Sequence, residues 1–325
     1  MAVKIGFVGS GGIAQVHMSA LEKVEDAQMM AFMDTDEEKA AQAAARHPGA
    51  GAYTDLTKML DEQELDTVYV CVPPHAHGEI ELALIERGIP FFVEKPIGND
   101  REIPSRILGA LKGSGLLTSV GYMARYHAVV EQLKEHLKQD APVLAWGSWL
   151  GGMPGVYWWR RKAMSGGQVL EQTTHIFDVA RYLFGEVVSV FCAGRTGLIT
   201  GVEDYDVEDA SMCTLTFKSG LICEISSSCA VGCGSRQGVE VICRNSRLEL
   251  RGNILKWSLN IEQPGRKCEI QSTEDVFLLE DRVWLDAVQS GDGSKIKSPY
   301  ADACKTHMVT CAANESIASG KPKKP

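Results

Sequence analysis

The sequence predicts an α/β chain, with a doubly wound parallel sheet first and then an α+β part built on a large, mainly antiparallel open sheet. Three observations carry this. Short apolar strands alternate with helical segments as far as Val120. A glycine-rich turn, Gly9-Ser10-Gly11-Gly12-Ile13-Ala14, joins the first strand to the first helix. From Val187 onward the pattern changes to alternating segments separated by hairpin turns such as Lys218-Ser219-Gly220.

The 325 residues suit one large or two ordinary domains, and 45% hydrophobic with 23% charged residues describes a globular protein with ample core material. A net charge of −9 and the lack of a basic stripe argue against nucleic acid as a partner. The closing Lys321-Pro322-Lys323-Lys324-Pro325 reads as a frayed, solvated end. Ten cysteines are scattered without a CxxC pair, and Cys71 and Cys192 sit in apolar runs that suit buried free thiols. No run is long and apolar enough for a membrane span, and the chain enters a strand at once without a signal region. A reducing cytoplasm is the expected location.

Val3 to Val8 reads as a buried strand, and the helix after the glycines runs through Leu21. A second strand, Ala27 to Met33, ends at Asp34; an alanine-rich helix follows from Glu37 to Arg46. Pro48-Gly49 and Gly51 make a turn, and Leu56 to Asp61 a short helix. Asp66 to Val72 is a further buried strand stopped by Pro73-Pro74, followed by a helix from His77 to Arg87 that Gly88 caps. Pro90 to Glu94 is the next strand, then come a helix at Ile103–Leu111 and a strand at Leu116–Val120. The pattern changes there, dividing the chain into residues 1–120 and 121–325.

The second part opens with a helix over Tyr126–Leu137 and a strand over Val143–Leu150. An aromatic and cationic stretch, Tyr157-Trp158-Trp159-Arg160-Arg161-Lys162, precedes Ser165-Gly166-Gly167 and one helix from Val169 to Leu183. Strands follow at Val187–Ala193, Ala210–Phe217, Leu221–Ser228, Gly238–Cys243 and Arg247–Leu250, and a helix over Ala301–Ala318 closes the chain.

G-x-G-x-x-A between a strand and a helix is the dinucleotide-binding form of the doubly wound, Rossmann-type sheet. Gly9 permits the tight turn, Gly11 lets the backbone approach a pyrophosphate, and the helix N-terminus offers free N–H groups at Gly12 and Ile13 beside Ser10. Asp34, at the end of the second strand, is placed to accept hydrogen bonds from the ribose hydroxyls and to repel a 2′-phosphate. Thr35, Asp36, Glu37 and Glu38 follow without an arginine, so NAD is preferred over NADP. Gly9, Asp34, Pro73 and Lys95 all fall at carboxyl ends of strands, where such sheets hold ligands, and Val72, His77 and Glu94 adjoin them.

Two groups bear chemistry. Phe91-Phe92-Val93-Glu94-Lys95-Pro96 places a lysine at the end of a buried strand, where proline fixes its backbone and desolvation suits it to proton transfer. Glu171 and His175 lie four apart, hence on one helical face, with Asp178 three further on. A base, a cationic oxygen holder and no metal are what oxidation of a secondary alcohol requires. An isolated Glu-Lys turn or a structural Glu–His contact is the plain alternative for each. His75-Ala76-His77 lacks a third ligand for a metal.

The chain resembles the glucose-fructose oxidoreductase/inositol dehydrogenase/rhizopine-catabolism (Gfo/Idh/MocA) family over essentially its whole length. The resemblance rests on Gly9-x-Gly11-x-x-Ala14 with His17, Asp34, Pro73 with His77, Glu94-Lys95-Pro96, Val120-Gly121-Tyr122, and Gly166-Gly167 before Glu171-x-x-x-His175-x-x-Asp178. It implies an NAD-dependent oxidoreductase acting on a CH–OH group of a sugar, cyclitol or small polyol, forming homo-oligomers (dimer or tetramer) through the second sheet. Lys95 matches the family's catalytic lysine and His175 its proton-transferring histidine. Glu94 and Pro96 would frame the lysine, with Pro96 a candidate for a cis peptide. Glu171 stands where many inositol dehydrogenase-like members carry aspartate, and the extra methylene displaces the carboxylate by about 1.5 Å. Tyr122, Arg125, Trp159 and Arg160 are candidates for substrate contact. Two other activities within the same family stay open: an NAD-retaining, redox-assisted glycosidase, and a non-enzymatic NAD-binding regulator.

Overall fold

The computed structural model describes residues 2–325. Six strands, β1 (Val3–Val8), β2 (Ala27–Met33), β3 (Gly51–Tyr53), β4 (Thr67–Val70), β5 (Phe91–Val93) and β6 (Thr118–Val120), alternate with five helices. These are α1 (Gly12–Leu21), α2 (Glu37–Ala44), α3 (Leu56–Glu62), α4 (Glu79–Glu86) and α5 (Glu102–Leu111). Next come α6 (Ala128–Gln139), β7 (Pro142–Leu150), two one-turn helices, α7 (Lys162–Ser165) and α8 (Gln168–Glu171), and α9 (Thr174–Phe184). Strands β8 (Val187–Arg195), β9 (Ala210–Phe217), β10 (Ile222–Ser228), β11 (Arg236–Cys243), β12 (Arg247–Asn253), β13 (Lys256–Gln263) and β14 (Arg266–Gln271) lead to α10 (Val276–Ser290) and α11 (Tyr300–Ser319). Among the described residues no helix is long and apolar enough to cross a membrane.

The chain forms two compact units. The first comprises Met1–Gly98, Glu102–Met123 and Asp275–Asp302; the second comprises Asn99–Arg101, Ala124–Glu274 and Ala303–Pro325. In the first, six strands pair in the order β3-β2-β1-β4-β5-β6, each neighbouring pair parallel. Strand β4 is buried along its length, as expected of a central strand covered on both faces. Register aligns Phe32, Phe7, Tyr69 and Phe92 on four adjacent strands. Their rings stack at centroid separations of 5.7, 5.0 and 4.9 Å, so cross-strand aromatic contacts tie the sheet together.

The division differs from a boundary at residue 120, because Asp275–Asp302 returns to the first unit. Trp284 and Leu285 of α10 join the core that contains Ile5, Phe7, Met18 and Phe92. The Trp284 indole also donates to Thr67 Oγ1 at 3.1 Å. Helix α10 and β3 are absent from the sequence reading; β3 occupies a stretch read as a turn.

The second unit holds an eight-stranded sheet in the order β14-β13-β12-β11-β7-β10-β9-β8. Only β7 and β10 pair in parallel; the other neighbours are antiparallel. Helix α9 packs on its centre: Ile176 approaches so closely that a Cβ on Gly147 would lie 2.5 Å from its Cγ2. Strands β13 and β14 extend the sheet beyond the five strands read after Val187. Cys192 is not a free thiol. It is bonded to Cys213, its direct partner across β8 and β9.

Candidate functional site

The glycine loop leaves β1 through Gly9, whose φ is +90°; a Cβ there would lie 2.3 Å from the Cys71 carbonyl oxygen. No other residue type fits that turn. Gly11 and Gly12 face open space, α1 begins at Gly12 without a side-chain cap, and Ile13 follows in its first turn. The Ser10 hydroxyl is buried beside this loop with no hydrogen-bond partner. Asp34 stands against the same loop, accepting the Ser10 N–H on Oδ2 at 2.8 Å and the Asp36 N–H on Oδ1 at 2.9 Å. A cavity of about 380 Å³ opens here, lined by Ser10, Gly11, Gly12, Gln15, Lys39 and Arg46. The open glycines, the orphaned serine hydroxyl and the fixed carboxylate fit the phosphates and ribose of a dinucleotide.

Val72 and Pro73 follow β4, and a 3₁₀ turn over Pro74–Ala76 leads to His77. His77 Nδ1 lies 2.5 Å from Glu81 Oε1, while its buried Nε2 has no partner. Burial pushes the Glu81 carboxyl up, but His77 and the Gly78 N–H outweigh it and leave the group below the usual carboxylate range. His77 therefore keeps one ring nitrogen fixed on Glu81 and the other buried without a hydrogen bond.

Glu94 ends β5 with its carboxylate turned inward, 3.0 Å from His17 Nε2 and accepting the Lys95 N–H at 3.1 Å. The residue is 3% exposed and its carboxylate adjoins the Lys95 backbone. The Lys95–Pro96 peptide is cis. His17 Nδ1 in turn lies 2.8 Å from Asp281 Oδ1. Burial pulls the His17 pKa down, yet the flanking Asp281 and Glu94 raise it well above the ordinary value. Tyr122, expected at the substrate, is only 1% exposed, packed inside the first unit.

In the second unit the helix read as continuous over Val169–Leu183 is broken. The Thr173 N–H reaches back five residues to the Gln168 carbonyl, a wide turn that separates α8 from α9. Glu171 ends the first piece and His175 lies in the first turn of the second, so they do not share one regular helical face. Glu171 Oε2 accepts the Trp159 indole N–H at 2.7 Å. The His175 ring stacks on Trp149 with centroids 5.6 Å apart and planes at 19°.

Two substrate candidates, Arg125 and Trp159, are buried. Arg125 is buried and clamps Asp178, with Nε 2.7 Å from Oδ2 and Nη2 2.5 Å from Oδ1. Asp178 also accepts the Thr306 hydroxyl at 2.8 Å. Trp159 is fully buried in a cluster with Val207 and Cys229. Arg160 differs: it is half-buried and its Nε has no partner. Two contributors escaped the sequence reading. Asp281 was hidden in an unread helix, and Trp149 gave no signal beyond its place in a strand.

The oxidoreductase family model with the NAD-binding Rossmann fold, GFO_IDH_MocA, matches residues 3–122, and the GFO/IDH/MocA C-terminal domain model matches residues 141–249. The chain belongs to the Gfo/Idh/MocA family. As a member it is an NAD-binding oxidoreductase, and its two sheets are those expected of the family. Myo-inositol 2-dehydrogenase of Thermotoga maritima is 26% identical to this Gfo/Idh/MocA chain across 97% of it and 96% of the relative. Inositol 2-dehydrogenase of Rhizobium meliloti is 29% identical over 74% of the chain and 73% of the relative. Among solved structures, levoglucosan dehydrogenase in complex with NADH superposes with a TM-score of 0.89 at 19% identity, covering 100% of this chain and 99% of that one.

Proposed function

We propose that the protein is an NAD-dependent dehydrogenase acting on a CH–OH group of a sugar, cyclitol or related small polyol. The observation that carries this is Lys95, fixed through Glu94 at the end of a strand in the same parallel sheet as the glycine loop and Asp34. The inositol and levoglucosan dehydrogenases to which the chain is similar support the substrate class.

The bound dinucleotide supplies the hydride acceptor. His175 takes the substrate hydroxyl proton, and the Lys95 ammonium holds the oxygen as its negative charge develops, leaving a carbonyl product. Glu171, tied to Trp159, supports the His175 segment. Arg160 offers its Nε to a further substrate hydroxyl. Asp34 favours NAD over NADP, because its carboxylate is fixed by two backbone N–H groups where a 2′-phosphate would meet negative charge.

A homo-oligomer is part of the same reading. Trp146, Phe191, Met212 and Ile222 alternate with the buried Ala145, Cys192, Cys213 and Cys223, so they share one sheet face, and all four are exposed. A second copy covering that face removes an apolar patch from water.

The test is a polyol panel followed by NADH absorbance, with Lys95→Ala and His175→Ala alongside. Turnover of a sugar or cyclitol by the parent and its loss in both variants is the expected result; undiminished turnover in both sinks the proposal.

A further inference from the structure

The His17 imidazole lies between two carboxylates, 2.8 Å from Asp281 Oδ1 through Nδ1 and 3.0 Å from Glu94 Oε1 through Nε2. Both nitrogens face acceptors, so the ring serves as a donor on both sides. Tyr69 gives its hydroxyl to the same Asp281 oxygen at 3.2 Å. Aromatic rings seal the group: Phe92 and Phe277 stand edge-on at 5.0 and 5.4 Å from the imidazole. The second oxygen of Glu94 accepts the Lys95 N–H at 3.1 Å. A Cβ on Gly121 would lie 2.2 Å from Glu94 Oε1, so that carboxylate is wedged against backbone with little room to swing. The contacts form an unbroken chain from Asp281 through His17 and Glu94 to the main chain of Lys95.

We propose that His17 is a positioning residue: acting through Glu94, it fixes the backbone of Lys95 and with it the ammonium that holds the substrate oxygen. One imidazole thereby ties α1, whose first turn cradles the cofactor, to β5, which carries the lysine. This matters because small displacements of a polarising group are costly; a misplacement of about 1 Å can cost roughly a hundredfold in rate. The inference rests on the reading of Lys95 given above.

The experiment compares His17→Gln, Glu94→Gln, the double variant and Lys95→Ala, using the polyol that the parent turns over best and NAD. His17→Gln and Glu94→Gln should each lower kcat about tenfold or more while KM for NAD stays within about threefold. The double variant should be no slower than the slower single one, because the two residues act as one chain. Multiplying effects in the double variant, or unchanged kcat in both singles beside an inactive Lys95→Ala, overturns the positioning role. Full turnover by Lys95→Ala overturns the reading of the lysine itself. Should His17→Gln fail to fold, the near-isosteric Glu94→Gln and Asp281→Asn carry the comparison, with the same kcat loss expected and an unchanged kcat overturning it.

Discussion

Trp159 donates its indole N–H to Glu171 across 2.7 Å, and both side chains are buried. The longer acid at this position is thus held by a residue from the aromatic stretch twelve places earlier. Trp159→Phe leaves the carboxylate without that donor and should cost about 1–3 kcal/mol in urea unfolding. Glu171→Asp withdraws the carboxylate by about 1.5 Å and should lose a comparable amount, rather than pass as a conservative exchange.

Arg125 and Asp178 give the larger effect. Removing one partner of a buried, doubly hydrogen-bonded ion pair strands the other charge. Arg125→Ala should destabilise the protein by about 3–5 kcal/mol, read as a shift of the denaturant midpoint at unchanged slope. A variant that lost substrate affinity with full stability would return Arg125 to the list of substrate contacts.

The alternation of strand and helix makes five of the six strands of the first sheet legible, since each of the five is a short apolar run with Gly, Pro or Asp at one end or both. Lys95, Asp34 and the glycines could be placed at strand ends for the same reason. Other features depended on partners far away in sequence. Nothing near Arg125 announces that Asp178 will take its guanidinium. Trp159 looks like an exposed platform until Val207 and Cys229 close over it. Helix α10 buries Glu280 and Asp281, which blurs the apolar stripe by which a helix is recognised. Strand β14 is an edge strand carrying Lys267 and Glu269, residues that protect an edge and mask a strand signal together. The wide turn that returns Thr173 to Gln168 is made between backbone groups, which no side chain announces, so the sequence reads as a single helix.

Asp34 should set cofactor choice. With two backbone N–H groups holding it, the carboxylate is a fixed charge, not a mobile one. Asp34→Ser should lower kcat/KM for NAD by about tenfold, roughly 1.4 kcal/mol, and raise that for NADP. Steady-state kinetics with both dinucleotides measures the ratio; a ratio that stays put would remove Asp34 from the ribose site.

The His17 cluster gives stability a dependence on alkaline pH. Its flanking carboxylates overcome burial and raise the imidazole pKa well above 6.5. The folded state then keeps a proton that the unfolded chain has lost. This contribution is complete below about pH 6.5 and declines, by up to about 1.4 kcal/mol per pH unit, as pH climbs towards the folded-state value. Urea midpoints between pH 6 and 9 should fall for the parent and follow a flatter course for His17→Gln.

The return of Asp275–Asp302 to the first unit has a consequence for biosynthesis. While the chain is being made, the ribosome delivers β1 to β6 long before the helix that carries Asp281 and Trp284. Until that segment emerges, His17 lacks one of its two acceptors and the Ile5, Phe7 and Met18 side of the core lacks its cover. Completion of the nucleotide-binding unit is therefore a late event, dependent on a stretch translated after nearly all of its neighbour. A nascent chain ending at Glu274 should be cut by protease within the first hundred residues, whereas one extended past Asp302 should resist.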